Sequence, residues 1–251
     1  MNRKTGIRIV ELIALLALLV VIAVLLLPMV PRARQASRQA SCANNLKQIG
    51  LVCKMFANES RGERWPPLSP VPHNWMMDAN ALFPEYASDL SIFICPSSPF
   101  AHADTFRLKR RIEHPGAPVG EFHPDCVWSL CYIYTGWCMF VDDQALALYD
   151  AYFERPEEVI AGSDITLTVP AWDPAGGPLA AQSSIPAVWD RVPLDEREFA
   201  HVPYGCNVLY MDGHVEFREY AYYNPPNAFP VTRASAETFG SVLPRLSQDC
   251  Y

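Results

Sequence analysis

The sequence predicts an α+β protein: a long N-terminal membrane helix packed on an antiparallel β-sheet, with long loops between the elements. Three features lead there. Residues 7–30 are almost wholly apolar, and the stretch from Leu12 to Val30 carries no charge. Residues 31–60 continue with an apolar stripe at helical spacing. Towards the C-terminus, two short apolar runs flank Asp212-Gly213, a strong local signal for a β-hairpin.

The first element opens with a basic leader, Arg3 and Lys4, ending at Gly6; Arg8 and Glu11 then interrupt the apolar run. At 1.5 Å per residue, Ile7 to Val30 reaches roughly 36 Å, enough to cross a bilayer. A secretory signal peptide has an apolar core of about 7–15 residues and a small-residue cleavage site. This run is longer and ends in Pro28-Met29-Val30-Pro31, so that reading fits poorly. An uncleaved signal anchor is the plainer alternative. A carboxylate inside a membrane helix costs roughly 2.5–3.5 kcal/mol on insertion scales, which makes Glu11 a candidate functional residue. Pro28 and Pro31 mark the place for a kink.

The second half of the helix, residues 31–60, is amphipathic. Cys42, Leu46, Ile49, Cys53 and Phe56 fall on one stripe, while Arg38, Lys47 and Lys54 lie off it. Cys42 and Cys53 share that face but stand three turns apart, roughly 16 Å, too far for a mutual bond. Any partner comes from elsewhere in the fold. The chain has eight cysteines, all beyond the apolar run and none in a C-x2-C pair. They read as disulfide formers in an oxidising compartment rather than as zinc ligands, with connectivity open.

Residues 61–251 form one domain of ordinary size. The twenty-three prolines against twelve glycines of the whole chain predict fixed loops and few long elements. The whole chain carries −7, and −9 once Arg3 and Lys4 are lost with a leader, which argues against a nucleic-acid surface. Residues 61–80 read as a loop and Ala81 to Tyr86 as a helical turn. Ser91 to Ile94 reads as a short strand, residues 102–125 as a polar surface insertion, and Val127 to Tyr134 as a strand. Glu157 to Ala161 reads as a strand and residues 168–186 as a loop. The acidic pairs Asp142-Asp143, Glu157-Glu158 and Asp195-Glu196 read as solvated surface rather than as a glycosidase pair. The tryptophans read as packing residues. No G-x-S-x-G, H-E-x-x-H or phosphate-binding glycine loop is present, so the chain is not expected to be an enzyme.

In the C-terminal hairpin, Asn207 to Met211 and His214 to Phe217 are the strands and Asp212-Gly213 a two-residue type I′ turn. That turn pairs Tyr210 with Val215 and Val208 with Phe217, on a face expected to be buried. His201, Asp212 and His214 admit three readings: a turn and backbone hydrogen-bonding role, a site for zinc or another transition metal, or an acid–base pair. The first is the simplest, because the turn itself requires Asp212, and no metal is assigned.

Gly6, Ile7 and Glu11 followed by an apolar helix resemble the N-terminus of type IV prepilins and type II secretion pseudopilins. Ile7 replaces the usual Phe, and Arg8 a small polar residue. The segment from Ser41 to Leu51, then Trp65-Pro66-Pro67, Phe93 to Ser97 and Tyr132 to Gly136, resembles in order a bacterial subgroup of these proteins that carries an uncharacterised pilin-like domain. His201, nine residues, then Asp212-Gly213 is similar to the H-x9-DG motif of prepilin-processing-associated domains. The resemblance implies a pilin-like fold, with residues 1–6 a leader, 7–30 the transmembrane half of the helix, 31–60 its amphipathic half, and 61–251 a periplasmic domain with the hairpin at 201–217. It implies cleavage by a prepilin peptidase between Gly6 and Ile7 and methylation of the new amine. It also implies that Glu11 neutralises the amine of a neighbouring subunit. The implied protein is a single-pass inner-membrane subunit with a cytoplasmic N-terminus, although Arg32, Arg34 and Arg38 beyond the span weigh the other way on the positive-inside rule. Its implied partners are the peptidase, other pilin or pseudopilin subunits, the inner membrane and secreted cargo, with no nucleic acid. No cofactor is implied, though the resemblance allows calcium at the end of the sheet through Asp212. The alternative is an anchored periplasmic binding protein that never polymerises and takes calcium, a glycan or an envelope protein.

Overall fold

The computed structural model describes residues 3–60, 64–102, 104–161, 182–220, 228–241 and 247–250. The chain divides into two compact units, Met1–Ala40 and Ser41–Tyr251. Helix α1 spans Arg3–Leu26, and helix α2 spans Met29–Glu59. The break falls at Pro28, which has no N–H to give and whose ring crowds the carbonyl four residues back. Pro31 is accommodated because it lies in the first turn of α2.

In the first unit, side chains 11–38 are exposed, and the apolar ones are exposed along the whole run: Leu15 by 57% and Leu25 by 65% of their surface. Among the described residues no single helix is long and apolar enough to cross a membrane; Glu11–Leu26 and Met29–Glu59 pass together, as a bent pair, by length and composition.

The second unit is α+β. Strands β1 (Tyr132–Tyr134), β2 (Pro186–Asp190), β3 (Gly205–Tyr210) and β4 (Val215–Glu219) form an antiparallel sheet in the order β1-β2-β3-β4. All six residues of β3 are buried, because both faces of the sheet are covered. On one face lies α2, whose Cys42, Leu46, Ile49 and Cys53 are fully buried. The expected stripe is therefore the packed one, with Phe56 half-buried at its end against Tyr86. The helix comes down closely at Gly50, where a Cβ would stand 3.0 Å from Leu209 Cδ1. On the other face Trp189 meets Phe229 and Phe239, with ring centroids 5.6 and 6.1 Å apart, and Trp75 meets Phe239 at 4.9 Å. Helix α3 (Asp142–Glu154) adds Tyr152, 4.7 Å from Trp75. A fourth helix, α4 (Pro156–Ala161), follows directly.

Several expectations change. Residues 91–94 are not a strand: Asp89 accepts from Ser91 N at 2.8 Å and starts a 3-10 turn over Leu90–Phe93. Glu157 to Ala161 is helical, because Pro156 at the first position followed by two glutamates is a helix start. Asp142 and Asp143 likewise begin α3, and Asp142 accepts from Thr232 at 2.6 Å. Only Tyr132–Tyr134 of the strand expected from Val127 is in the sheet. Further back the Asn74 side chain takes the backbone groups a ladder would need, donating to Val127 O at 3.0 Å and accepting from Ser129 N at 2.9 Å. The expected loop is there over residues 64–78, but it runs through the core: Trp65, Trp75, Met76 and Met77 are buried. Most of the loop expected over 168–186 lies outside the described residues.

Two disulfides close the unit, Cys42–Cys95 and Cys126–Cys250. Burial pushes the Cys131 thiol up to about 11 and raises the Cys53 and Cys206 thiols as well, so all three are protonated and inert at neutral pH.

Replacing Gly50 by Val forces two methyl groups into the Leu209 contact. The expected loss is about 1–3 kcal/mol of stability, read from the midpoint of chemical denaturation.

Candidate functional site

The hairpin is the element through which sequence pointed to function, and its geometry differs from a two-residue turn. Leu209 pairs with Val215, Val208 with Glu216 and Asn207 with Phe217. The register is thus one residue away from the expected one, with Val208 opposite Glu216 rather than Phe217. The loop is three residues, Met211, Asp212 and Gly213: Gly213 N donates to Tyr210 O at 2.9 Å and Tyr210 N to His214 O at 3.0 Å. This is a type I turn closed by a residue at positive φ, which Gly213 supplies at +98°. A slip of one residue exchanges the faces of β4. Val215 and Phe217 therefore join the Leu209 face, which packs against α2, while Glu216 and Arg218 join the Tyr210 face.

Asp212 serves the turn. Its Oδ1 accepts from His214 N at 3.0 Å and lies 2.6 Å from His214 Nδ1, and its backbone carbonyl accepts from Lys54 of α2. Burial alone would raise the Asp212 carboxyl, but the His214 backbone N–H, the His214 ring and Lys54 hold it below the usual carboxylate range. The His214 ring stacks on Tyr210 at 4.4 Å.

His201 is elsewhere. It is fully buried in a bridge to Gly205, at the opposite end of β3 from Asp212. Six strand residues separate the two ends by roughly 20 Å. The structure therefore does not bring His201 together with Asp212 and His214. Instead Asp190 of β2 and Asn207 of β3 surround it. His201 Nε2 lies 3.0 Å from Asp190 Oδ2 and 3.1 Å from Asn207 Nδ2. The same Asp190 oxygen accepts from Asn207 N at 2.6 Å and Nδ2 at 2.8 Å. With its proton on Nε2, His201 donates into this knot. Its Nδ1 and Asp190 Oδ1 are buried with no hydrogen-bond partner among the described residues.

Cys95 Sγ lies 3.8 Å from His201 Nε2. The knot therefore adjoins the Cys42–Cys95 disulfide, and Asn45 one turn along donates to Ile94 O at 2.8 Å. Cys42, Cys95 and His201 stand close enough together to hold a metal ion, but the disulfide takes both sulfurs. Sequence spacing could not have found Asp190 or Cys95 as neighbours of His201; only the sheet order brings them there. Gly6 and Ile7 lie in α1, and Glu11 is exposed on it.

A family model described as a protein of unknown function (DUF1559), a family found in pilin-like and prepilin-type proteins, matches residues 31–67. No curated protein matches the chain. No solved structure matches it either. The matched span covers most of α2 and its entry into the core, including Cys42, Leu46, Ile49, Gly50 and Lys54.

Truncating His201 to Ala takes one partner from the Asp190 carboxylate in a dry site and leaves it to Asn207. We expect a loss of about 1–3 kcal/mol, against about 1 kcal/mol or less for Asp212→Ala on the exposed turn. Equal shifts of the two denaturation midpoints would contradict this assignment of roles.

Proposed function

We propose that the chain is a pilin-like or pseudopilin-like subunit of a type IV pilus-like or type II secretion-like assembly, held in the inner membrane by its N-terminal helix. The observation that carries this reading is the first unit: from Leu12 to Val30 an apolar helical run stands exposed, with Glu11 at its start. An exposed apolar surface of this extent needs lipid or other apolar helices around it. A carboxylate at its edge needs a cation, and the amine freed by cleavage after Gly6 supplies one on a neighbouring subunit. The family match over residues 31–67 and the two disulfides, which suit an oxidising periplasm, support the same reading. Ile7 would carry the methylated amine, Glu11 would set register, and the folded unit would contact neighbours or cargo. His201, Asp212 and Gly213 then act in folding rather than in catalysis.

A second reading, an anchored binding protein that never polymerises, is favoured by a cleft of about 680 Å³. Phe100, Lys109, Trp128 and Arg191 are among the side chains that line it.

Coexpression with a prepilin peptidase separates the two. We expect an intact mass and N-terminal sequence beginning at methylated Ile7, and a Glu11→Ala chain that is still cleaved but no longer assembles. A chain that keeps Met1 in the presence of the peptidase would favour the anchored binding protein.

A further inference from the structure

The polar insertion contains a second cluster that the hairpin and the helix do not use. His114, His123 and Asp125 each offer one donor atom, and these atoms all lie within 4.8 Å of one another. His114 Nε2 is 2.6 Å from Asp125 Oδ2, and His123 Nδ1 is 3.9 Å from the same oxygen. The two imidazole rings are 4.5 Å apart. All three side chains are partly exposed, so an ion reaches them from solvent.

Two of the three donors are held from behind, Asp125 and His114. Asn80 Nδ2 donates to Asp125 Oδ1 at 2.6 Å, which turns Oδ2 towards the two rings. His123 Nδ1 accepts from Asp125 N at 3.3 Å, a long hydrogen bond that an ion must displace to take the nitrogen's one lone pair. His114 turns its other nitrogen, Nδ1, to Asp249 Oδ2 at 3.0 Å. Asp249 is fully buried and fixed by three backbone donors: Ile112 N at 2.6 Å on one oxygen, Glu113 N at 2.8 Å and His114 N at 2.9 Å on the other. A buried carboxylate behind a histidine is the arrangement that orients metal-binding imidazoles and raises their basicity. The Cys126–Cys250 disulfide joins the residues next to Asp125 and Asp249. Two segments separated by 124 positions in the chain are thereby fixed around one point.

We propose that His114 Nε2, His123 Nδ1 and Asp125 Oδ2 bind one divalent transition-metal ion, with Asp249 positioning His114. Two imidazoles and one carboxylate suit zinc, whereas calcium takes an all-oxygen set. A tetrahedral ion with bonds of about 2.0 Å places its donors roughly 3.3 Å apart. The 2.6 Å contact opens and the 3.9 Å contact closes by less than about 1 Å each to reach that spacing. Water takes the fourth position, and the proton shared by His114 and Asp125 leaves to solvent. The ion would staple the insertion to the C-terminal segment. This inference is independent of assembly.

The test uses the untagged full chain in detergent micelles, stripped with chelator and titrated with Zn²⁺ alone by calorimetry. The stripped chain is also loaded with Co²⁺ and read by visible absorption. We expect one equivalent of Zn²⁺ and the d–d bands of a four- or five-coordinate Co²⁺ site with nitrogen ligands. His114→Ala and His123→Ala together should weaken Zn²⁺ binding at least tenfold, with the near-ultraviolet dichroism unchanged. Asp249→Asn should weaken it about 10–100-fold, and His214→Ala should leave it intact. The unaltered chain serves as its own check should a variant fail to fold. Absence of both the equivalent of Zn²⁺ and the Co²⁺ bands overturns the proposal, as does binding that survives in the folded double variant.

Discussion

Everything in the folded unit depends on how α2 is held against the sheet. Three kinds of interaction hold it, and they differ in strength. Leu46 and Ile49 bury completely, each worth about 1.5–3 kcal/mol, and Gly50 lets the helix backbone come down onto Leu209. The Cys42–Cys95 bond spans 53 positions, which on the chain-entropy model removes about 4 kcal/mol of disorder from the unfolded chain. Lys54 to the Asp212 carbonyl is a surface contact and is the weakest of the three. Against a typical net stability of about 5–15 kcal/mol, the disulfide and the apolar stripe are the decisive terms.

The same sequence segment thus meets two environments. Residues 11–38 show only exposed side chains, and from Cys42 onward one side of α2 is dry. Among the described residues the apolar run stays uncovered, whereas the stripe from Cys42 to Cys53 packs on the sheet. That contrast underlies the proposal of an N-terminal half used between molecules and a second half used within one. The buried Asp190–His201–Asn207 knot belongs to the second task. It sits where β2, β3 and the Cys95 segment meet, and a charged group placed there without its partners would be costly.

Much of this was legible from residue spacing. The helical stripe, the break near Pro28, the impossibility of a Cys42–Cys53 bond and the presence of a C-terminal hairpin all follow from local geometry. What failed was decided by side chains reaching across the chain. Asn74 satisfies Val127 and Ser129 and so keeps them out of the sheet. Asp89 turns a β-like run into a 3-10 turn. In the hairpin, one extra loop residue changed the register, because Gly213 was read as half of a two-residue turn rather than as the closing residue of a longer one. The His114 cluster was hidden inside a segment read as polar surface. Its one local signal is the His-x-Asp of residues 123–125, and His114 and Asp249 join it only through the fold.

The most direct test of this account is peptide mapping of the purified, unreduced chain by mass spectrometry. The account predicts a peptide containing Cys42 joined to one containing Cys95, with Cys53 recovered as a thiol. Cys42 recovered as a free thiol, or joined to any other cysteine, would contradict the way α2 is held on the sheet.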